Sequence, residues 1–468
     1  MVQSSGKWVS IAWWCLIVVS VVLIVTSPWH AWVPEEVAEG DERVKLAVLE
    51  LQGRYLIGFA QIQPEESEDL EKQLVEMEAW AATDRAAAAV AAVRFFIDPE
   101  GNGKWRALAL VNERLKDEQA QDDKGGKKLN RQLLENVRKA LNQPDQLSDE
   151  ERTQIRSVMG WFGKVLLSAS ADDDTPASEE AASLRMHSVI TVITTGILVL
   201  VVMGVGLLGV GLLAIGLIMM RNGKLTFVGI PDEIPVQPYL GAFALYLSLM
   251  VLADFLSIVV HPLVAVVGMF GSIGFAFVWP RLQGLGWRES LRGFGWRRGK
   301  GIAREMLAGV IGYMAMTPVF ALGVVTTLIL TLVSGWLASK GVDPAEAGPA
   351  PGPITHPVVA WVVDGNWLVK MLVVFLASGL APLFEETMFR GALYRVFRSR
   401  WGCVGSGLAS GVIFAVVHPQ GFLAIPALTA MGFGFAVIRE WRGTLIASMT
   451  AHGLHNGILI TTLLLALA

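Results

Sequence analysis

The chain has 468 residues, of which 53% are hydrophobic and 17% are charged, and its mean hydropathy of +0.50 is typical of a protein that crosses a membrane several times. Residues 34–185 carry 20 Lys and Arg against 31 Asp and Glu, and this acidic balance argues against nucleic acid as a partner, which requires a basic face. The two cysteines, Cys15 and Cys403, support neither a disulfide framework nor a four-ligand zinc site.

The first predicted element is an apolar segment at 8–32, with Lys7 before it and tryptophans near both ends, where they would anchor a span at the membrane interface. A cleaved signal peptide is the alternative interpretation. Residues 26–33 contain no clear small-x-small cleavage site. We therefore expect residues 1–33 to form a membrane anchor.

Residues 34–185 are predicted to form an acidic, soluble and mostly helical domain. Apolar residues recur at helical spacing within 68–80 and 84–96. The stretch Asp-Pro-Glu-Gly-Asn-Gly at 98–103 has some likeness to a calcium-binding loop, but the twelfth position is Ala109 rather than glutamate, which favours an ordinary turn. The sequence does not indicate the role of this domain.

Eight further apolar segments follow, and most reach the roughly 20 residues that a membrane-spanning helix requires. They are predicted at 188–220, 239–260, 262–279, 306–337, 367–384, 403–417, 422–438 and 444–467. Residues 186–300 thus hold spans two to four and a basic loop, and residues 301–468 hold the remaining spans. The predicted fold is all-α, a polytopic bundle of eight or nine spans with a helical domain inserted after the first.

The distribution of Lys and Arg in the short loops predicts an orientation. With the N terminus in the cytoplasm, sixteen of these residues fall on the cytoplasmic side and two, Lys340 and Lys370, on the other. This bias agrees with the positive-inside rule. We expect an integral protein of the bacterial inner membrane, with a cytoplasmic N terminus and an extracytoplasmic domain at 34–185.

Two adjacent carboxylates, Glu385 and Glu386, follow the apolar segment at 367–384, where an unpaired charge is costly. On a helix, Glu386 and Arg390 are one turn apart and can form an ion pair. Glu385 points about 100° away from Glu386 around the helix axis, so its side chain is free to face a cavity. A carboxylate in a partly dry site is suited to act as a general base toward water. The alternative is a helix cap at the membrane interface.

Two further pairs share a helix face, Phe414 with His418 and His452 with Asn456. A single histidine near a helix end is most often structural, but neutral His and Asn can both donate hydrogen bonds to an oxyanion. The combination of these pairs with Glu385 on three helices predicts one active site. The span bounds, however, place Glu385 at the cytoplasmic end of its span and His418 at the far end of the next.

The ordered motifs Glu-Glu-xxx-Arg at 385–390, Phe-xxx-His at 414–418 and His-xxx-Asn at 452–456 resemble the CPBP family. This family comprises the CAAX prenyl endopeptidases and bacterial relatives, including bacteriocin-processing and immunity proteins. The resemblance covers roughly residues 300–468, so that 301–468 would be an intramembrane protease domain. It implies that Glu385 and His418 activate the water, that His452 and Asn456 hold the oxyanion, and that the supporting residues are Glu386, Arg390 and Phe414.

The resemblance implies a glutamate-type peptidase without a tightly bound metal, so no cofactor is expected. Zinc is the alternative: the sequence lacks the His-Glu-x-x-His motif, but Glu385, His418 and His452 could form a three-ligand site across helices. The expected partners are the lipid bilayer and a membrane-associated protein or peptide substrate.

Two other functions are compatible with the sequence. A non-catalytic membrane protein could use the same cavity to bind or shield a partner, as in bacteriocin immunity. A transporter could use the intramembrane residues Asp254 and His261, but the chain lacks the inverted repeat that would favour this function.

Overall fold

The computed structural model describes residues 2–26, 35–63, 67–81, 83–119, 125–169, 175–230, 233–261, 263–340, 366–418 and 420–466. The regular secondary structure of these residues is helical, as predicted. The chain divides into two compact units. The membrane unit comprises Met1–Pro34 and Met203–Leu465, and the insert unit comprises Glu35–Val202 and Ala466–Ala468. The first helix, α1 (Val2–Thr26), belongs to the membrane unit.

Seven helices and a short 3-10 turn, Pro144–Gln146, build most of the insert unit. The helices are α2 (Glu35–Ile62), α3 (Ser67–Glu78), α4 (Asp84–Ile97), α5 (Asn102–Gln119), α6 (Gly125–Asn142), α7 (Asp149–Met159) and α8 (Trp161–Ser168). Helix α4 forms the centre of the core, because its alanine-rich sequence lets neighbouring helices approach it closely and residues 86–96 are all buried. The carboxylate of Asp98 accepts hydrogen bonds from the backbone N–H groups of Gly101 and Gly103, which closes the turn at 98–103.

Helix α9 (Pro176–Arg221) continues from the insert unit into the membrane unit. The helices that follow are α10 (Gln237–Val259), α11 (Leu263–Leu282), α12 (Trp287–Phe294), α13 (Ile302–Ser339), α14 (Trp367–Arg398), α15 (Cys403–Val416), α16 (Ile425–Arg442) and α17 (Leu445–Ala466). A 3-10 turn, Phe422–Ala424, precedes α16. Each of the nine predicted apolar segments corresponds to one helix.

Six of the described helices are long and apolar enough to cross a membrane, and two shorter apolar helices, Val267–Leu282 and Cys403–Val416, accompany them. The prediction of a polytopic helical membrane bundle is thereby confirmed. The span ending before Glu385 is longer than predicted, because α14 continues through the two glutamates to Arg398. Arg390 and Arg395, which lie beyond the predicted span at 367–384, are buried helical residues.

The continuation of α14 corrects the predicted depth of the site residues. Glu385 lies 13 residues before the end of α14, and His418 lies 15 residues after the start of α15. Because the two helices form a hairpin, both residues lie about 20 Å from the turn that joins them. The predicted span bounds left a mismatch in depth between Glu385 and His418, and the continuation of α14 past Glu385 removes it.

Helices α15 and α16 pack with their backbones in close contact. A Cβ atom at Gly411 would lie 2.8 Å from the Thr429 carbonyl oxygen and 3.1 Å from the Phe433 nitrogen. The absence of a side chain at this position therefore sets the distance between the helix that precedes His418 and its neighbour.

We expect the substitution Gly411→Ala to destabilise the protein by about 1–3 kcal/mol, because the new methyl group has no room between α15 and α16. The matched control is Gly405→Ala on the same helix, where the nearest atom would be 3.9 Å away. Alanine favours the helix at both positions by up to about 1 kcal/mol, so the difference between the variants reports the steric cost. Thermal unfolding of the purified proteins in detergent measures it, and equal midpoints would contradict the close packing.

Candidate active site

Glu385 lies opposite two histidines that come from two other helical regions. Its Oε2 atom is 3.6 Å from His418 Nε2 and 3.7 Å from His452 Nε2. The Oε2 atom is buried without a hydrogen-bond partner, although a quarter of the side chain is exposed. These distances exceed a direct hydrogen bond. A small reactant can therefore bridge Glu385 Oε2 and either ring nitrogen.

The orientation of His418 is set by its own helix. Its Nδ1 atom lies within hydrogen-bond distance of the Phe414 carbonyl oxygen, and its ring packs on the Phe414 ring at a centroid distance of 4.0 Å. A carbonyl oxygen only accepts, so Nδ1 is the donor, and in this tautomer of the neutral ring Nε2 is an acceptor. Two acceptors, His418 Nε2 and Glu385 Oε2, then face each other, and a molecule that donates two hydrogen bonds can bridge them.

His452 is held in place by a carboxylate and an aromatic ring. Its Nδ1 atom donates to Glu386 Oε1 over 3.1 Å, and its ring stacks on Phe435 at 4.8 Å between centroids. The carboxylate fixes the proton on Nδ1, in the way that a carboxylate orients the catalytic imidazole of serine proteases. The Nε2 atom is left to face Glu385.

Glu386 and Arg390 form the ion pair predicted from their spacing. Arg390 Nη1 lies 2.8 Å from Glu386 Oε1, and the two side chains are 1% and 0% exposed. Arg390 also donates to the Gly432 carbonyl oxygen, and its guanidinium lies 4.6 Å from the centre of the Phe414 ring. The pair thus connects α14 with α15 and α16, and the rings of Phe389, Phe414 and Phe435 lie around the guanidinium.

Asn456 contacts α14 at an irregular part of the helix. Two π-helical stretches, Leu376–Leu380 and Thr387–Leu393, flank the segment that carries Glu385, and such stretches are frequent at functional sites. Asn456 Nδ2 donates to the Ala377 carbonyl oxygen over 2.8 Å. An amide nitrogen carries two hydrogens, so one remains for another acceptor.

Several residues that shape the site were not predicted from the sequence. Phe435 and Gly432 contact His452 and Arg390, but their helix shows only ordinary apolar periodicity. Ser378 has a buried hydroxyl without a hydrogen-bond partner, and its carbonyl lies so close to α17 that only glycine fits at position 453. The sequence signal for these contacts was the small-residue spacing Gly453-xxx-Gly457, which could have indicated a close helix pair.

Within the described ranges, no group of three or more His, Cys, Asp or Glu side chains is arranged so that it could hold a metal ion. His418 and His452 each engage one ring nitrogen with a protein acceptor and therefore each offer a single nitrogen to a ligand.

The fold and the site together define a helical membrane protein that gathers a carboxylate and two histidines from its C-terminal helices. Residues 366–458 match the family model described as type II CAAX prenyl endopeptidase Rce1-like. This match confirms the resemblance to the CPBP family that the motifs indicated, and it includes all the residues of the candidate site.

A curated Escherichia coli protein, described as an uncharacterized 24.3 kDa protein, is 34% identical to this chain over 89 residues. The aligned part is 18% of this chain and 40% of the relative, so the chain spans less than half of that protein's length. No solved structure matches the chain. The match to the family model lies in the C-terminal helices.

We expect Glu386→Gln to destabilise the protein far more than Glu385→Gln, by roughly 3–5 kcal/mol, because it leaves the guanidinium of Arg390 buried without a counter-ion. Both substitutions keep the side-chain volume, and they differ in whether a buried arginine loses its partner. The unfolding midpoint and the yield of monodisperse protein measure the difference. Equal stability combined with a selective loss of activity in Glu386→Gln would mean that Glu386 is itself a catalytic residue.

Proposed function

We propose that this protein is an intramembrane endopeptidase that hydrolyses a peptide bond of a membrane-associated protein or peptide. The observation that carries the proposal is the placement of Glu385 Oε2 3.6 Å from His418 Nε2 and 3.7 Å from His452 Nε2, inside a membrane helix. The match of residues 366–458 to an endopeptidase family supports the same reaction.

In the proposed first step, a water molecule donates one hydrogen bond to Glu385 Oε2 and one to His418 Nε2. Its lone pair then points away from both acceptors, toward the carbonyl carbon of the substrate. As the carbon–oxygen bond forms, Glu385 takes a proton from the water as a general base. His418 orients the nucleophile, since the hydrogen bond to the Phe414 carbonyl keeps its accepting nitrogen in place.

The carbonyl oxygen becomes an oxyanion in this step, and we assign its stabilisation to His452 and Asn456. His452 donates through Nε2 when it is an imidazolium, because Nδ1 already donates to Glu386. The Glu386 carboxylate stabilises that charge, and Arg390 lies 2.8 Å from the same carboxylate. The second N–H of the Asn456 amide supplies a further donor. In the last step the proton on Glu385 passes to the leaving nitrogen as the carbon–nitrogen bond breaks.

We further propose that the protein resides in a bacterial inner membrane with its N terminus in the cytoplasm. Of the sixteen Lys and Arg predicted on the cytoplasmic side, Arg390 and Arg395 are buried in α14. The remaining fourteen against two on the other side support this orientation. The candidate site would then open toward the cytoplasmic leaflet, and the acidic domain at 34–185 would lie outside. The family match makes a CAAX prenyl protein a candidate substrate.

We expect Glu385→Gln to lower peptide hydrolysis by at least about 100-fold while leaving the unfolding midpoint close to that of the wild type, because glutamine keeps the shape but cannot accept the proton. A membrane-tethered peptide library incubated with protein in proteoliposomes, with products read by mass spectrometry, measures the activity. The control is Glu289→Gln, an exposed carboxylate on α12 that caps its helix. Undiminished cleavage by Glu385→Gln would exclude this mechanism.

A resident metal is not part of the proposed mechanism. We expect purified protein to contain well under one zinc per chain by elemental analysis and to retain its hydrolysis after treatment with a chelator. One zinc per chain that is lost in His418→Ala would replace this mechanism with a metal-activated water.

A further inference from the structure

The proposed mechanism leaves the hydroxyl group of Tyr246 unused. This residue lies near the middle of α10, nine residues after Gln237 and 13 residues before Val259. Tyrosines of membrane proteins are concentrated at the two interfaces with water, and a buried tyrosine usually finds a hydrogen-bond partner within the protein. The position of Tyr246 in the middle of a span therefore calls for such a partner.

The other three tyrosines of the membrane unit have partners at 3.0–3.2 Å: the hydroxyls of Tyr239, Tyr313 and Tyr394 contact Ser290, His455 and Glu440, respectively. In contrast, no described residue forms a hydrogen bond with the hydroxyl of Tyr246, although only 7% of this residue is exposed. Nor does its oxygen belong to the buried polar atoms that lack a partner. The small exposed part of Tyr246 therefore includes the hydroxyl, which is free to contact a ligand.

Aromatic side chains of α10 contact α14 in reverse order. The Tyr239 ring lies 5.0 Å from the guanidinium carbon of Arg395, and the ring of Phe243 lies 5.3 Å from that of Phe389. The two helices therefore run antiparallel, and residues further along α10 approach residues that come earlier in α14.

Tyr246 is the next aromatic residue in this series, and it approaches the turn that carries Glu385. Its ring lies edge-on to the ring of Phe389 at a centroid distance of 6.4 Å. Glu385 precedes Phe389 by four residues, or about 6 Å along the helix. The phenol interacts electrostatically with the Glu385 carboxylate, but no hydrogen bond joins these two side chains. A ligand that accepts a hydrogen bond from Tyr246 can therefore lie beside Glu385.

Open space adjoins both residues. A quarter of the Glu385 side chain is exposed, although it belongs to a membrane helix. A cavity of about 460 Å³ between α10 and α11 is lined by Leu249, which is one turn beyond Tyr246. Phe270, beside the part of α11 that lines this cavity, lies 6.1 Å from Phe384, the neighbour of Glu385. The site is therefore open on the side of α10 and α11.

We propose that Tyr246 binds the substrate, by donating a hydrogen bond from its hydroxyl to a backbone carbonyl oxygen next to the scissile bond. This inference rests on the proposed peptidase function. Water does not satisfy the backbone groups of a peptide inside a membrane, so the enzyme has to supply their partners. Helix α10 lies outside residues 366–458, so the family match assigns no role to Tyr246.

The proposed hydrogen bond is formed with a carbonyl group that does not react. It is therefore present with equal strength in the bound substrate and in the transition state. Loss of such an interaction raises KM and leaves kcat unchanged. A purely structural role of the hydroxyl would instead change the stability of the protein.

The first test compares wild-type protein with Tyr246→Phe in proteoliposomes, using the membrane-tethered peptide that the wild type cleaves best. We expect KM to rise about 3- to 10-fold, as for the loss of one neutral hydrogen bond, and kcat to stay within about twofold. The unfolding midpoint should not fall, because phenylalanine keeps the ring and the hydroxyl has no partner among the described residues.

A second measurement tests the contact itself. In two further peptides, a trans-alkene replaces one or the other of the peptide bonds that flank the scissile bond, which keeps the shape but removes the carbonyl group. At one of these positions the alkene should raise KM for the wild type and have little further effect on Tyr246→Phe. This non-additivity is the signature of two groups in direct contact.

The matched control is Tyr313→Phe, which removes a hydroxyl that contacts His455 within the protein. It should lower the unfolding midpoint without raising KM. The inference is overturned if Tyr246→Phe has the KM of the wild type, if it lowers kcat at unchanged KM, if it destabilises the protein as Tyr313→Phe does, or if neither alkene shows coupling. Absence of hydrolysis by the wild type overturns the proposed function, and this inference with it, whereas the other outcomes concern Tyr246 alone.

Discussion

Glu386 and Arg390 stand one helical turn apart in α14 and face each other as an almost completely buried ion pair. The pair lets a span continue through charged residues that would otherwise end it, since each charge offsets the burial cost of the other. The same carboxylate holds His452, and the same guanidinium reaches α16 through Gly432. Three helices are therefore fixed relative to Glu385 by one pair of side chains.

The adjacent glutamates have different surroundings although they are neighbours in sequence. Glu386 is enclosed by Arg390 and His452, whereas Glu385 is a quarter exposed and faces two ring nitrogens. Helical geometry produces this difference, because consecutive side chains leave the axis about 100° apart. One carboxylate thereby serves the packing of the bundle, and the other faces His418 and His452.

Much of this arrangement could be predicted from the sequence. Hydropathy located nine apolar helices, and the spacing of Glu386 and Arg390 predicted their ion pair, because both signals are local along the chain. The depth of Glu385 could not be predicted, since it depends on α14 continuing to Arg398 through partners on other helices. Contacts such as Phe435 with His452 depend on how helices pack, and apolar periodicity alone does not distinguish a site residue from an ordinary core residue.

The hairpin of α14 and α15 has a consequence for how this protein can change in length. Glu385 and His418 meet because the two arms of the hairpin are nearly equal. One residue inserted into either arm would shift its site residue, Glu385 or His418, by about 1.5 Å and rotate it by about 100°. The turn at 399–402 lies outside both helices, so a residue inserted there would not move either side chain along its helix. Insertions and deletions in natural variants should therefore be confined to turns, and the two arms should have a fixed length.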